Sequence, residues 1–221
     1  MKTNAIICVS LAGASVLFAA SGHSRQPTES EQANATPKLM QAASVTHILF
    51  DFADAAAVDQ WFATDDRVMG GVSQSRMRFD PSGHAVFEGV MSLERNGGFA
   101  SVRAQAAAPP VSGITHYLLE VQGDGKRYKL NLQMSGGFNP VSYQASFPTV
   151  KGAWTTLAIP INTFEPSFRG RRVPDAPALD PARVVQAGLM ISDGQDGSFQ
   201  LAIRKLSVRA DSATLPTLPQ I

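Results

Sequence analysis

The chain has 221 residues, of which 44% are hydrophobic and 17% charged, and its formal net charge is +1. That length favours one domain with or without tails, and the apolar share is sufficient for a buried core. The near-neutral charge gives no electrostatic reason to expect nucleic acid or an anionic membrane as the main partner.

The first 22 residues have the pattern of an export signal peptide. Lys2 precedes an apolar stretch over residues 6–20, and small residues at 19–22 suit cleavage after Ser21 or Gly22. The apolar stretch is short for a membrane span, which needs about 20 residues, and the alternative is an uncleaved membrane anchor. We therefore expect an exported protein whose domain is periplasmic or otherwise extracytoplasmic. Membrane contact is expected through such an anchor and by no other route.

The single cysteine, Cys8, lies within this signal. Signal cleavage would leave a chain without a thiol, which excludes disulfides, cysteine nucleophiles, thiolate zinc sites and iron–sulfur ligation.

Residues 23–46 are rich in Ser, Gln, Thr, Ala and Pro without apolar periodicity, which predicts a disordered linker. The folded domain is predicted over residues 47–210, and residues 211–221 form a tail with little to bury.

Most runs within the domain have strand character. The clearest is a hairpin over residues 114–135, where apolar residues alternate on both sides of an Asp124-Gly125 turn. A helical turn or two is predicted over 55–62. About ten strands are predicted in all: 48–52, 73–79, 85–93, 99–104, the two arms of the hairpin, 141–147, 155–161, 184–191 and 199–208. Many short strands separated by turns predict an all-β sandwich or barrel.

Two Gly-Gly segments, residues 66–73 and 96–103, place paired glycines beside polar residues just before a strand. Such pairs mark tight turns. We interpret Asp65 and Asp66 as turn residues and partners of an arginine, because neighbouring residues on an extended chain point in opposite directions and suit an acid–base pair poorly. Arg103 has two interpretations, structural pairing or anion binding.

A long Pro-rich connection over residues 162–183 carries Arg169, Arg171 and Arg172. Connections of this length without structure of their own are usually functional or mobile. The arginines can bind a carboxylate, a phosphate or an acidic partner surface through paired hydrogen bonds. The alternative is that they pin the loop to the domain through Asp or Glu.

The known signatures of cofactor and metal sites do not fit. Residues 123–126 lack the phosphate-loop spacing, and neither Gly-Gly segment matches G-x-G-x-x-G. Residues 193–197 resemble a calcium loop loosely but lack its order of ligands. The four histidines are scattered and show no recognisable Ser-His-Asp spacing. We predict a non-enzymatic chain without a metal or cofactor.

Four motifs, in order along the chain, resemble those of the complex I intermediate-associated protein family. They extend over most of the domain: 61–73; 87–89 with 96–103; Trp154, 159–160, Phe164 and 168–171; and 188–193 with 197–199. The resemblance implies a jelly-roll β-sandwich of the galactose-binding-domain-like type and a role without catalysis. In eukaryotic members that role is to assemble the membrane arm of respiratory complex I, as a chaperone of a partly built intermediate. The eukaryotic members act on the mitochondrial matrix side of the membrane, whereas an export signal implies the opposite side of the membrane.

Our first hypothesis is an exported module that binds a protein partner in the assembly or stability of a membrane or envelope complex. Its candidate contact residues are Asp66, Asn96, Arg103, Arg169, Arg171 and Arg172. The alternative is a carbohydrate-binding domain of the cell envelope. Its candidate residues on one hairpin face are Lys129, Asn131 and Gln133, with Tyr143 nearby. A solvent-exposed aromatic among Trp61, Trp154, Tyr143 and Phe138 would favour this alternative.

Overall fold

The computed structural model describes residues 44–136 and 140–211, which belong to one unit of the chain over 41–221. The predicted signal peptide, most of the linker and nearly all of the tail lie outside the described residues. The strands are β1 Ser44–Asp51, β2 Phe62–Ala63, β3 Gln74–Asp80, β4 His84–Met91, β5 Ala100–Gln105, β6 Ile114–Gln122, β7 Arg127–Gln133, β8 Ser142–Pro148, β9 Trp154–Pro160, β10 Glu165–Phe168, β11 Arg171–Arg172, β12 Gln186–Ile191 and β13 Gly197–Asp211. Within residues 44–136 and 140–211 there is one α-helix, α1, which covers Ala55–Asp59 and is capped by the Asp54 carboxylate, which accepts a bond from the Ala56 amide.

The strands form two antiparallel sheets. The six-stranded sheet has the order β3-β4-β13-β6-β9, with β1 also paired to β13. The seven-stranded sheet has the order β11-β10-β8-β7-β12-β5-β2. The arrangement confirms the predicted all-β sandwich.

Strand β13 organises the six-stranded sheet because it is long enough to hold three neighbours. β4 pairs with its first half and β1 with its second half, while β6 lies along the opposite edge. The register with β6 shifts between Ile203 and Lys205, so that Arg204 forms a bulge. A bulge of this kind bends a strand and increases its twist, which lets one strand serve both halves of a sheet.

Each of the ten predicted strands has a counterpart in the structure, with bounds shifted by a few residues. The additional strands β2, β10 and β11 are two to four residues long; β2 and β11 are the edges of the seven-stranded sheet, and β10 lies between β11 and β8. The connection over 162–183 therefore contains structure that the sequence did not predict.

The core lies between the inner faces of the two sheets. On the predicted hairpin, Tyr128, Leu130 and Leu132 are fully buried, as their alternation indicates. The hydroxyl of Tyr117 is also buried and has no hydrogen-bond partner among the described residues. Burial, with a smaller contribution from the charge of Asp180, raises the pKa of Tyr117 far above its usual value.

Segments 64–73 and 92–99 precede β3 and β5 and follow β2 and β4, so they lie at one end of the sandwich, which we call the loop end. The described chain begins at Ser44, which pairs with Asp211 at the opposite end. The loop end is therefore remote from the point where the chain enters the domain. None of the helices among the described residues has the length and apolar character of a membrane span.

Candidate functional site

The loop end is held together by the buried carboxylate of Asp66. Its Oδ1 accepts a hydrogen bond from the Ser73 amide at 3.0 Å, and its Oδ2 accepts one from the Ser73 hydroxyl at 2.6 Å. Oδ2 also accepts bonds from the amides of Gly98 at 2.8 Å and Phe99 at 3.4 Å. One side chain thus connects segments 64–73 and 92–99, which the sequence separates by about 30 residues.

Asp65 joins the two sheets at the same place. Its carboxylate accepts bonds from the amide and hydroxyl of Ser75 on β3 and from the amide of Ser101 on β5. It shares no donor with Asp66, in keeping with side chains that point in opposite directions. The expectation of an arginine partner is wrong for both residues, because main-chain amides and serine hydroxyls supply the donors. A local pattern that reveals a turn does not reveal which distant donors the turn will meet.

These bonds determine the charge state of Asp66. Burial would raise the pKa of its carboxyl, but the bonds from the Ser73 hydroxyl and from the amides of Gly98, Ser73 and Phe99 outweigh burial and hold that pKa below its usual value. Asp66 is therefore an ionised structural group at neutral pH. The side chain is buried, and both of its oxygens accept hydrogen bonds from the chain's own donors.

The two Gly-Gly segments are explained by close approach to this carboxylate. A Cβ at Gly71 would overlap the Asp66 side chain, and a Cβ at Gly97 would lie 2.7 Å from Asp66 Oδ2 and 2.6 Å from the Ser92 carbonyl. Gly70, with φ of +93°, ends the short 3₁₀ turn over Asp66–Met69 in the left-handed region. The sequence therefore predicts the turns, whereas the packing of glycine on a buried acid appears only in the fold.

Apolar side chains project from the rim of the loop end. Val68 is 73% exposed, Met69 60% and Leu93 50%. The exposed charges on the same two segments are Arg67, Glu94 and Arg95. Exposed apolar side chains that share one end of a domain, with charged residues on the same segments, are candidates for an interaction site.

Asn96 also lies on the rim of the loop end, where it is exposed with a φ of +59°. Asparagine tolerates this left-handed conformation better than most residues. Of the six predicted contact residues, Asp66 and Asn96 lie at the loop end. Asn96 is exposed there and Asp66 is buried. The assignment of all six to a partner stays a prediction.

Arg103 lies on the outer face of the seven-stranded sheet. Its guanidinium stacks on the ring of Phe62, 5.2 Å from the ring centroid, and Phe62 is the residue paired with it across β2 and β5. Lys129, Asn131 and Gln133 lie on the same outer face, as predicted, and Lys129 pairs with Asp193 at 2.6 Å. Phe62 is 47% exposed and was not among the aromatics singled out from the sequence.

The aromatic side chains named for the carbohydrate alternative have other positions. Trp61 and Tyr143 are buried, and the Tyr143 hydroxyl donates to the carbonyl of Pro177 at 2.8 Å. Trp154 is half-buried on β9, with the guanidinium of Arg204 stacked 4.0 Å from its ring centroid. Phe138 lies outside the described residues.

The three loop arginines lie at the far edge of the seven-stranded sheet, near β10 and β11. Arg172 is 3.7 Å from the carboxylate of Glu165, which belongs to the same connection, and Arg169 stacks on Phe168 at 5.4 Å from the ring centroid. Arg171 is exposed. Arg103 lies on β5, several strands away in the sheet order, so the fold does not gather the four arginines into one cluster.

An open groove of about 590 Å³ crosses the outer face of the six-stranded sheet beside β3, β4 and β13. Its charged side chains are engaged, since Arg76 pairs with Glu88 at 2.6 Å and Asp124 accepts a bond from the Gln200 amide. The described residues contain no group of three His, Cys, Asp or Glu side chains placed to hold a metal ion.

Comparison with known proteins identifies the family. The family model described as complex I intermediate-associated protein 30 matches residues 50–203. A relative, the mitochondrial complex I intermediate-associated protein 30 of Drosophila melanogaster, is 25% identical over 203 residues, which cover 82% of this chain and 69% of that protein.

Solved structures of low sequence identity share the fold. The family 11 carbohydrate-binding module of the cellulase Lic26A-Cel5E of Clostridium thermocellum has a TM-score of 0.57 at 13% identity, over 76% of this chain and 95% of that one. The Clostridium thermocellum family 11 module in complex with a β-1,3-1,4-mixed-linked tetrasaccharide has a TM-score of 0.55 at 13% identity, over 74% and 94%. These likenesses confirm the predicted jelly-roll β-sandwich. The chain is a member of the complex I intermediate-associated protein 30 family.

Proposed function

We propose that the chain is an exported, non-enzymatic module that binds a protein partner through its loop end. The observation that carries this proposal is the set of exposed apolar side chains, Val68, Met69 and Leu93, on two segments fixed by buried hydrogen bonds. Apolar side chains on segments that are already held in place lose little backbone entropy on docking, which favours affinity. The family's name and its role in complex I assembly support a protein as the partner.

The state of the carboxylates supports a role without catalysis. A general acid or base needs a free oxygen within reach of a substrate proton. Asp65 and Asp66 are buried, and their oxygens already accept bonds from the chain's own amides and hydroxyls. They therefore act as fixed supports of the loop end.

The partner surface that fits the loop end is apolar with an acidic margin. Arg67 and Arg95 flank the apolar side chains, and Glu94 is the exposed acid on the same two segments. Charges at a rim change association rate and specificity more than affinity, so the apolar contacts would supply most of the binding energy. We place this partner in a membrane or envelope complex on the extracytoplasmic side, as the N-terminal signal pattern suggests.

Site-specific photocrosslinking in the cells that naturally produce the chain tests the proposal. A photoreactive residue at Val68 is expected to give a discrete adduct with a protein, which excess unlabelled wild-type chain suppresses. The same residue at Val45, a valine 48% exposed on β1 and remote from the loop end, serves as the matched control. Equal labelling from both positions, or adducts with lipid in place of protein at Val68, would contradict a protein-docking role.

A further inference from the structure

Met69, at the loop end, is the methionine that solvent reaches most easily in the described part of the chain, since it is 60% exposed. The other four methionines within residues 44–136 and 140–211 are less accessible: Met77 and Met134 pack against the core, Met91 is fully buried and Met190 is half-buried. The susceptibility of methionine to oxidation follows its exposure to solvent. The fold therefore singles out Met69 among these five.

An exposed methionine sulfur reacts with hydrogen peroxide directly. A sulfur lone pair attacks one peroxide oxygen, and the S–O bond forms as the O–O bond breaks. The proton of the transferred oxygen passes to the departing hydroxide, which leaves as water, so sulfur loses two electrons and peroxide gains them. The Sδ of Met134, by contrast, accepts a hydrogen bond from the Asp180 amide at 3.1 Å, which engages a lone pair that the reaction needs.

The main chain at Met69 is held independently of its side chain. Met69 ends the 3₁₀ turn over Asp66–Met69, which the Gly70 amide closes by donating to the Arg67 carbonyl at 3.1 Å. The buried carboxylate of Asp66 anchors this turn to Ser73. The Met69 side chain is not part of the core cluster of the described residues. Oxidation therefore changes the surface of the loop end and leaves its framework in place.

Sulfoxide formation makes one of the apolar side chains of the loop end polar. The sulfoxide oxygen is a strong hydrogen-bond acceptor, whereas the thioether sulfur is a weak one. Val68 and Met69 are adjacent on the turn and both are more than half exposed, so a partner surface that docks on the turn meets the modified side chain. Burying such a polar group against an apolar surface without a donor weakens binding about fivefold or more.

We propose that Met69 is a site of reversible oxidation, at which hydrogen peroxide or another two-electron oxidant makes the loop end polar and so releases its protein partner. The effect on the partner rests on the proposed function, whereas the selective oxidation of Met69 does not. Methionine sulfoxide reductases reverse the change, with one enzyme for each sulfoxide epimer. Met69 thus couples docking at the loop end to the oxidant level of the compartment.

Peptide mapping by mass spectrometry tests the selectivity on the folded full chain. The chain is exposed to hydrogen peroxide at neutral pH, and the sulfoxide fraction of each of the five methionines is followed over time. Met69 is expected to react at least about tenfold faster than Met77, Met91 and Met134. The Tm of the chain oxidised at Met69 should stay within about 2 °C of the untreated value. Comparable rates at Met69 and Met91, or a larger fall in Tm, would overturn the proposal.

Hydrophobic-interaction chromatography measures the change of surface without a partner. The oxidised wild-type chain is expected to elute earlier from a phenyl column than the untreated chain, and treatment with both reductases should restore its elution. Met69→Leu is the matched control, because it keeps an apolar side chain that peroxide does not oxidise and shares every other methionine with the wild type. An equal shift of the two chains on oxidation would show that Met69 does not control the apolar character of the loop end.

Photocrosslinking tests the effect on docking. The purified chain with a photoreactive residue at Val68 is added, reduced or oxidised, to envelopes of the cells that naturally produce it. Oxidation is expected to lower the yield of the protein adduct at least about fivefold, and the reductases should restore it. The same probe in the Met69→Leu chain should give equal yields before and after oxidation.

Two failures of this experiment are distinguishable. An undiminished adduct from the oxidised wild-type chain, or an equal loss in the Met69→Leu chain, would contradict control of docking by Met69. Absence of any protein adduct from the reduced chain would contradict the docking role of the loop end, and with it the release of a partner. The selectivity for Met69 is decided by peptide mapping in either case.

Discussion

Replacing Asp66 by asparagine tests whether one carboxylate holds the loop end together. The asparagine oxygen can take the position of Oδ2 and keep the bonds from the Ser73 hydroxyl and the Gly98 amide as neutral bonds. Its NH₂ group then faces the Ser73 amide, donor against donor, at a site where the wild-type distance is 3.0 Å. The charge-assisted character of every bond is lost.

The expected cost is about 3 kcal/mol of unfolding free energy. A buried amide left unsatisfied accounts for about 1–3 kcal/mol, and the weakening of the remaining bonds supplies the rest. For a domain of this size the loss corresponds to a fall in Tm of roughly 6–12 °C. Urea unfolding followed by circular dichroism measures it. Asp59→Asn, at an exposed position on α1, is the control and should change stability by less than about 0.5 kcal/mol.

The same variant gives a pH dependence of defined sign. Because the pKa of Asp66 is lower in the folded chain than the unfolded value of about 3.9, its carboxylate contributes stability above about pH 4 and loses that contribution as the pH falls through the folded pKa. The stability difference between wild type and Asp66→Asn should therefore narrow below pH 4. A difference near zero at pH 7, or one that widens in acid, would refute the role given to this carboxylate.

Tyr117→Phe should leave the free energy of unfolding unchanged or raise it by up to about 1 kcal/mol, because it removes a buried hydroxyl that has no partner among the described residues. Tyr143→Phe should lower the free energy of unfolding by about 1 kcal/mol, because the Tyr143 hydroxyl donates to a main-chain carbonyl. Equal effects of the two substitutions in denaturant unfolding would contradict this assignment. Gly89→Ala should lower stability by more than about 2 kcal/mol, since its Cβ would overlap the backbone of β3, while Gly136→Ala, which has open space, should be nearly neutral. A Gly89→Ala variant as stable as Gly136→Ala would show that β3 can move aside freely.

The sequence predicts the larger strands well because their signal is local. The alternation of Tyr128, Leu130 and Leu132 shows which face is buried, and the adjacent Asp124-Gly125 pair shows where the chain turns. Strands β2 and β10 escape prediction because they are short and exist only by pairing with an edge that other parts of the chain have built. Edge pairing is a tertiary property without a periodic pattern of its own.

The candidate sites depend on still longer-range geometry. The sequence places Asp66 and Gly98 in separate motifs, and their contact follows only when β3 and β5 meet at the edge of the sandwich. In the sequence Phe62 is one more apolar residue next to Trp61, yet in the structure Phe62 is exposed and Trp61 is buried. No local feature distinguishes the two, because the exposure of Phe62 depends on its pairing with Arg103 at the sheet edge.

The most direct test of a protein-docking loop end is the affinity of the crosslinked partner for loop-end variants. The partner, once purified, is titrated against the wild-type chain, the double variant Val68→Asp/Met69→Asp and the control Val45→Asp. Loss of exposed apolar contacts at the centre of an interface costs about 2 kcal/mol or more, so the double variant is expected to bind at least 30-fold more weakly, with the control unchanged. Wild-type affinity in the double variant would contradict the assignment of the loop end as the binding surface.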